Sequence, residues 1–188
     1  MISINDFCDK HEACQDGRDW AIANCVDMAD AWQRLKPDWL LWVATRPGVL
    51  TDRELRLSAV FCARQVQHLL TDQRSRDVIE VAEKFANGAA TCNELAAARA
   101  AGWDALDAAL DAARDAALDA STARAAARAA LDAAAARAAT AAGNAVWAAA
   151  WAAAGDADAA AAWDAAAAAQ SDWLRANTTP NFGVEVQS

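Results

Sequence analysis

The chain has 188 residues, a formal net charge of −9, 56% hydrophobic residues, and only seven glycines and three prolines. That length supports one core, and an alanine excess with so few turn formers excludes an all-β fold, because alanine has the highest helix propensity. The negative balance argues against a duplex DNA binder, which draws most of its affinity from Lys and Arg on phosphates.

In chain order, "MISINDFCDKHEAC" lacks a basic segment followed by an apolar one, so it does not read as a secretory signal. Ser3 is placed to cap a short helix. Cys8, His11 and Cys14 follow at intervals of three and, with Cys25, can be written as a zinc site. On one continuous helix Cys8 and Cys14 stand about 9 Å apart along the axis, too far for one tetrahedral ion. Only a break between them, with a turn at Gly17 folding Cys25 back, revives that reading. The expectation is no metal and no cofactor, and five reduced thiols (Cys8, Cys14, Cys25, Cys62 and Cys92) in a cytoplasmic protein.

Pro37 suits the first turn of a helix through "DWLLWVATR", which Pro47-Gly48 ends. Thr51 and Glu54, in "TDRE", form a capping box in which each side chain satisfies the other's free backbone amide. This box opens a helix to about Leu70. Thr71 and Asp72 cap "QRSRDVIEVAEKFA", Asn87-Gly88 closes it, and "TCNE" at Thr91 repeats the box.

From Thr91 to Gln170, 44 of 80 residues are alanine, a low-complexity composition. Trp103, Trp147, Trp151 and Trp163 and the absence of proline argue against disorder. The tract reads as three or four helices broken at Ser121-Thr122, Gly143-Asn144 and Gly155-Asp156. On an ideal helix Asp104, Asp107, Asp111, Asp115 and Asp119 share an arc of about 120°, with Leu106 and Leu110 opposite. One face is then wet and the methyl-lined remainder packs closely, with Trp147 and Trp151 supplying bulk. The apolar run from Ala145 to Ala154 is about half the roughly 20 residues that a membrane span requires. The expected architecture is all-α, a compact multi-helix bundle. A mixed-composition helical region covers residues 1–90, alanine-rich hairpins packed on it cover 91–177, and an extended tail covers 178–188, overall as one domain.

The most informative surface lies on the helix after Asp52. Arg53, Arg56, Arg64, Gln67 and His68 fall within about 120° of one another, with Leu55, Cys62, Val66 and Leu69 on the opposite side. Arg46 precedes this stripe and Arg74 and Arg76 follow it. Guanidinium captures phosphate or carboxylate in a bidentate fashion, so the stripe is either an exposed anion or partner site or a strip neutralised internally by the aspartate rows. Most tryptophans read as core filling; Trp42, one turn before Arg46, reads as a ligand contact. His68 lacks a nucleophile and an orienting group, and no hydrolase, zincin, P-loop or dinucleotide motif accompanies it. The chain is not expected to be an enzyme.

The stretch "WVATRPGVLTDRELRLSAVFCARQVQHLLTDQRSRDVIEVAEKFANGAAT", from Trp42 to Thr91, followed by alternating Ala, Asp, Arg and Trp, resembles a group of alanine-rich phage and bacterial proteins often labelled immunity proteins. "FCDKHEAC" and "WLRANTTPNF" fit the same group, whereas Gln73 stands where its pattern has proline. The resemblance implies a small, cytosolic, helical protein carried by a phage or mobile element, without a defined activity. The expected function is a non-enzymatic binding protein, phage-borne and acting in the host cytoplasm, that occludes a bacterial toxin or anti-phage defence component. One alternative is sequestration of a nucleotide signal by the Arg and Trp residues above. Another is mimicry of nucleic acid by the aspartate rows. Neither duplex nucleic acid nor a membrane is an expected partner, and homo-oligomerisation is left open.

Overall fold

A computed structural model describes residues 2–116 and 159–183, and the side chains within them other than those of 109–116 and 159–160. Local capping chemistry sets most helix starts. The Ser3 hydroxyl accepts the Asp6 amide at 3.1 Å and opens α1 (Ile4–His11). Glu12, in the left-handed region at φ 53°, ends it, so the chain turns between Cys8 and Cys14. Gly17 lies inside α2 (Gln15–Asn24) and makes no turn. The Asp27 carboxylate accepts the Asp30 amide at 2.8 Å and opens α3 (Met28–Arg34). Pro37 is the first residue of α4 (Pro37–Ala44), where a missing amide costs nothing.

The two capping boxes form as their sequences require. Thr51 Oγ1 accepts the Glu54 amide at 3.2 Å, Glu54 Oε2 accepts the Thr51 amide at 2.8 Å, and α5 (Asp52–Gln65) follows. Thr91 and Glu94 repeat this at the start of α7 (Cys92–Ala116). Between them Asp72 caps α6 (Gln73–Ala86), and Gly88, at φ 72°, turns the chain where a side chain would be strained. The helix after Asp52 stops short of Leu70: α5 ends at Gln65, and Gln67–Leu69 form a 3₁₀ turn. The last described helix is α8 (Ala159–Asn177). The fold is all-α and multi-helical, with no strand among the described residues.

Two cores result. One gathers α1 to α4 around Phe7, Met28, Trp32, Leu40 and Val43. The other is aliphatic and lies among α5, α6 and α7, with Ala59, Ala63, Val78 and Ile79 fully enclosed. Alanine at the second core lets helix axes approach to about 8 Å. As the helical period demands, Leu106 is buried and Asp104 and Asp107 are exposed. The side chains of Leu110, Asp111 and Asp115, together with Asp119, Trp147, Trp151 and the turns expected at Ser121-Thr122, Gly143-Asn144 and Gly155-Asp156, lie outside what is described.

Helix α8 spans both cores, packing on α4 and α5. Trp163 and Ala166 lie on the aliphatic core and Leu174 enters the aromatic one. Two of its polar side chains tie it to the body on the way: Gln170 donates to the buried Ser58 hydroxyl, and Arg175 donates to the carbonyls of Trp32 and Leu35 at the end of α3, which have no partner within their own helix. Beyond α8 the chain continues without regular secondary structure to a bend at Gly183. The Asn181 amide donates to Val49 O at 2.8 Å, and the Ile2 amide donates to Phe182 O at 2.9 Å. The Phe182 ring is edge-on to Phe7 and Trp32, at 5.9 and 6.1 Å between centroids.

Candidate functional site

The arginines singled out along the sequence are exposed or half-buried, and each has its own intramolecular neighbour. Arg53 donates to Asn87 Oδ1 at 2.8 Å. Arg56 lies 5.2 Å from the Phe85 ring centroid, and Arg64 pairs with Glu83 while also donating to Gln67. All three therefore lean along the seam between α5 and α6. The helical wheel extended this stripe to His68. His68 lies in the 3₁₀ turn after Gln65, where the α-helical period on which the wheel rests no longer holds, and it is exposed.

Arg74 pairs with Asp72, and this hydrogen bond holds the Asp72 carboxyl below its ordinary range. The Arg74 guanidinium is raised in turn by Asp72 first and, more weakly, by Asp104 on α7. Arg76 donates to Leu70 O and to Gln73 Oε1. Arg46 folds back on α4, donating to Trp42 O at 3.0 Å, with its guanidinium carbon 4.7 Å from the Trp42 ring centroid. These partners differ from residue to residue, and no single anion-sized focus joins them. The carboxylates paired with them are Glu83 and Asp72, Asn87 accepts from Arg53 as an uncharged amide, and Asp104 is the described member of the aspartate rows that contributes.

Trp42 belongs to a different feature. A cavity of about 240 Å³ opens among α1, α2, α3 and α4. Phe7, Met28, Trp39, Trp42 and Val43 wall it, and Asp38 is the charged residue of its lining. A Cβ at Gly17 would stand 3.2 Å from Cys14 Sγ and 3.6 Å from the Trp39 ring. Glycine inside a helix costs about 1 kcal/mol relative to alanine. In so alanine-rich a chain, its presence here reflects the close approach of that thiol and that ring. The cavity was not legible in the sequence, because its walls come from four helices whose mutual placement no local pattern specifies. A helix-interior Gly17 facing the aromatic spacing Trp39–Trp42 was the available signal.

The thiols divide into two kinds. Cys8, Cys25 and Cys62 are buried, and Cys14 and Cys92 are exposed. Desolvation pushes Cys62 up to about 12 and also raises Cys8 and Cys25, so these three are poor nucleophiles. Although the chain does break between Cys8 and Cys14, no three His, Cys, Asp or Glu side chains among the described residues are grouped to hold a metal ion. The His11 ring lies 4.5 Å from that of Phe7, tilted by 50°, and burial first, then Lys10 and Arg46, lower its pKa. No described helix is long and apolar enough to cross a membrane. Comparison with known proteins finds no matching family model, no matching curated protein and no matching solved structure.

Proposed function

We propose that this chain is a non-catalytic binding protein that occludes a basic bacterial toxin or defence protein in the host cytoplasm, in the manner of phage-borne immunity proteins. One observation carries the reading. The candidate arginines are engaged within the molecule, while Asp77, Glu80, Asp104 and Asp107 are exposed on the packed pair α6 and α7. Trp103, 39% exposed, stands among the last two. Because Arg74 near the start of α6 feels Asp104 on α7, the pair is antiparallel and its carboxylates lie on one hairpin. A tryptophan flanked by charge is a common anchor of protein interfaces, and an acidic field speeds encounter with a basic partner.

The test is to express the tagged chain in a bacterial host, identify the protein it retains stoichiometrically, and measure their association. Rising salt should slow binding, and Asp104→Lys with Asp107→Lys should slow it by about tenfold. Trp103→Ala should act on dissociation instead. Retention of no partner, or of one indifferent to salt and to all three substitutions, ends the proposal. So does a nucleotide that raises the melting temperature of the wild type but not of Arg64→Ala.

A further inference from the structure

We infer that the cavity among α1 to α4 is a binding site for a small neutral aromatic molecule of one or two rings, independent of any protein partner. Three observations lead there. The first is size: protein interiors hold few voids larger than a water molecule, and an apolar cavity of about 150 Å³ accepts benzene, whereas this one measures about 240 Å³.

The second is the way the walls are held. Trp42 is pinned by Arg46 on its ring and by Phe7 edge-on at 6.4 Å. Trp39 is pinned by Lys36 at 4.2 Å and by Trp20 at 5.8 Å. Phe7 is held by His11 and Phe182. Apart from Phe7, the groups that hold these rings lie outside the lining, which keeps the rings from folding inward, so the space is preformed in the way ligand sites are.

The third is charge. No Lys or Arg belongs to the lining, and Asp38 supplies its charge. That carboxylate already accepts the Trp163 indole N–H at 3.2 Å, and a carboxylate has lone pairs for further donors. The site therefore rejects fatty acids, nucleotides and other anions and favours an aromatic ring with an N–H or O–H donor, for which indole is a suitable probe.

The chain carries its own reporter. Cys14 lines the cavity and is exposed, while Cys92, the other exposed thiol, begins α7 well away from it. Indole added to the purified full chain should bind saturably by calorimetry, raise the melting temperature, and slow alkylation of Cys14 by iodoacetamide while leaving Cys92 unchanged. Ala21, buried in the lining, gives the blocking variant: Ala21→Leu should abolish indole binding and Cys14 protection while the chain stays folded. Asp38→Asn gives the charge variant. Indole-3-carboxylate should bind the wild type about tenfold more weakly than indole, and Asp38→Asn should narrow that gap. Absence of saturable binding up to the solubility of indole overturns the inference. Equal protection of Cys14 and Cys92, or an unchanged affinity in a folded Ala21→Leu chain, does the same.

Discussion

The two cores are built from the same kind of element and differ in how well they close. Among α5, α6 and α7 the buried side chains are Ala, Val, Ile and Leu with Cys62, and Ile79 and Val78 are fully enclosed. Among α1 to α4 the bulk comes from Phe7, Trp32, Trp39 and Trp42, flat rings with few rotamers, of which Phe7 and Trp42 meet edge-on and, with Trp39, wall the cavity. Alanine-rich packing gives density, and aromatic packing gives shape. A void next to a side chain removes the atoms it would otherwise touch and the dispersion energy that goes with them.

The sharpest break in the comparison comes from truncating isoleucine on each side. Ile79→Ala should cost about 4 kcal/mol in denaturant unfolding, near the top of the range for such changes, while Ile4→Ala, beside the cavity, should cost about 2. Equal losses would mean that the cavity is closed in solution. Next come the paired enlargements. Ala82→Leu in the closed core should destabilise by about 2 kcal/mol through overpacking, whereas Ala21→Leu should leave the melting temperature unchanged or raise it, because its added atoms have space to occupy.

The smallest effect separates the capping boxes that open α5 and α7. Thr51→Ala should cost about 1 kcal/mol, and Thr91→Ala should cost less. The difference arises because Glu54 also accepts the Thr179 amide of the tail at 3.1 Å. Burial raises the Glu54 pKa, but hydrogen bonds from the Thr51 hydroxyl and amide and the Thr179 amide outweigh it, so the carboxyl sits below its usual range. A carboxyl depressed in the folded state stabilises fully above its unfolded value near 4.5. That contribution is lost as the pH falls through the folded value. Acid titration of Thr51→Ala should therefore show a shallower loss of stability below pH 4.5 than the wild type.

The helix boundaries are legible at Ser3, Pro37, Thr51, Asp72, Gly88 and Thr91, which act as their chemistry requires, but not at Asp27, whose carboxylate opens α3. The end of α5 was not. From Val66 to Leu70 no Gly or Pro marks the change to a 3₁₀ turn, and a wheel continued past Gln65 placed His68 on the arginine face. Nor could the wheel say which neighbour would meet that face; the groups that meet it, Glu83 on α6 and Asn87 at its C-terminal cap, lie outside the aspartate rows. Trp42 was recognised as a residue with more to do than fill space, but its setting depended on how α1 to α3 fall around α4.

The hydrogen bond between Ile2 and Phe182 bears on the order of events during synthesis. Phe7 and Trp32 are synthesised well before Phe182, the ring that packs on both of them. Contacts between segments so far apart in the chain form slowly. The first four helices must wait, half covered, until the tail arrives and seals them.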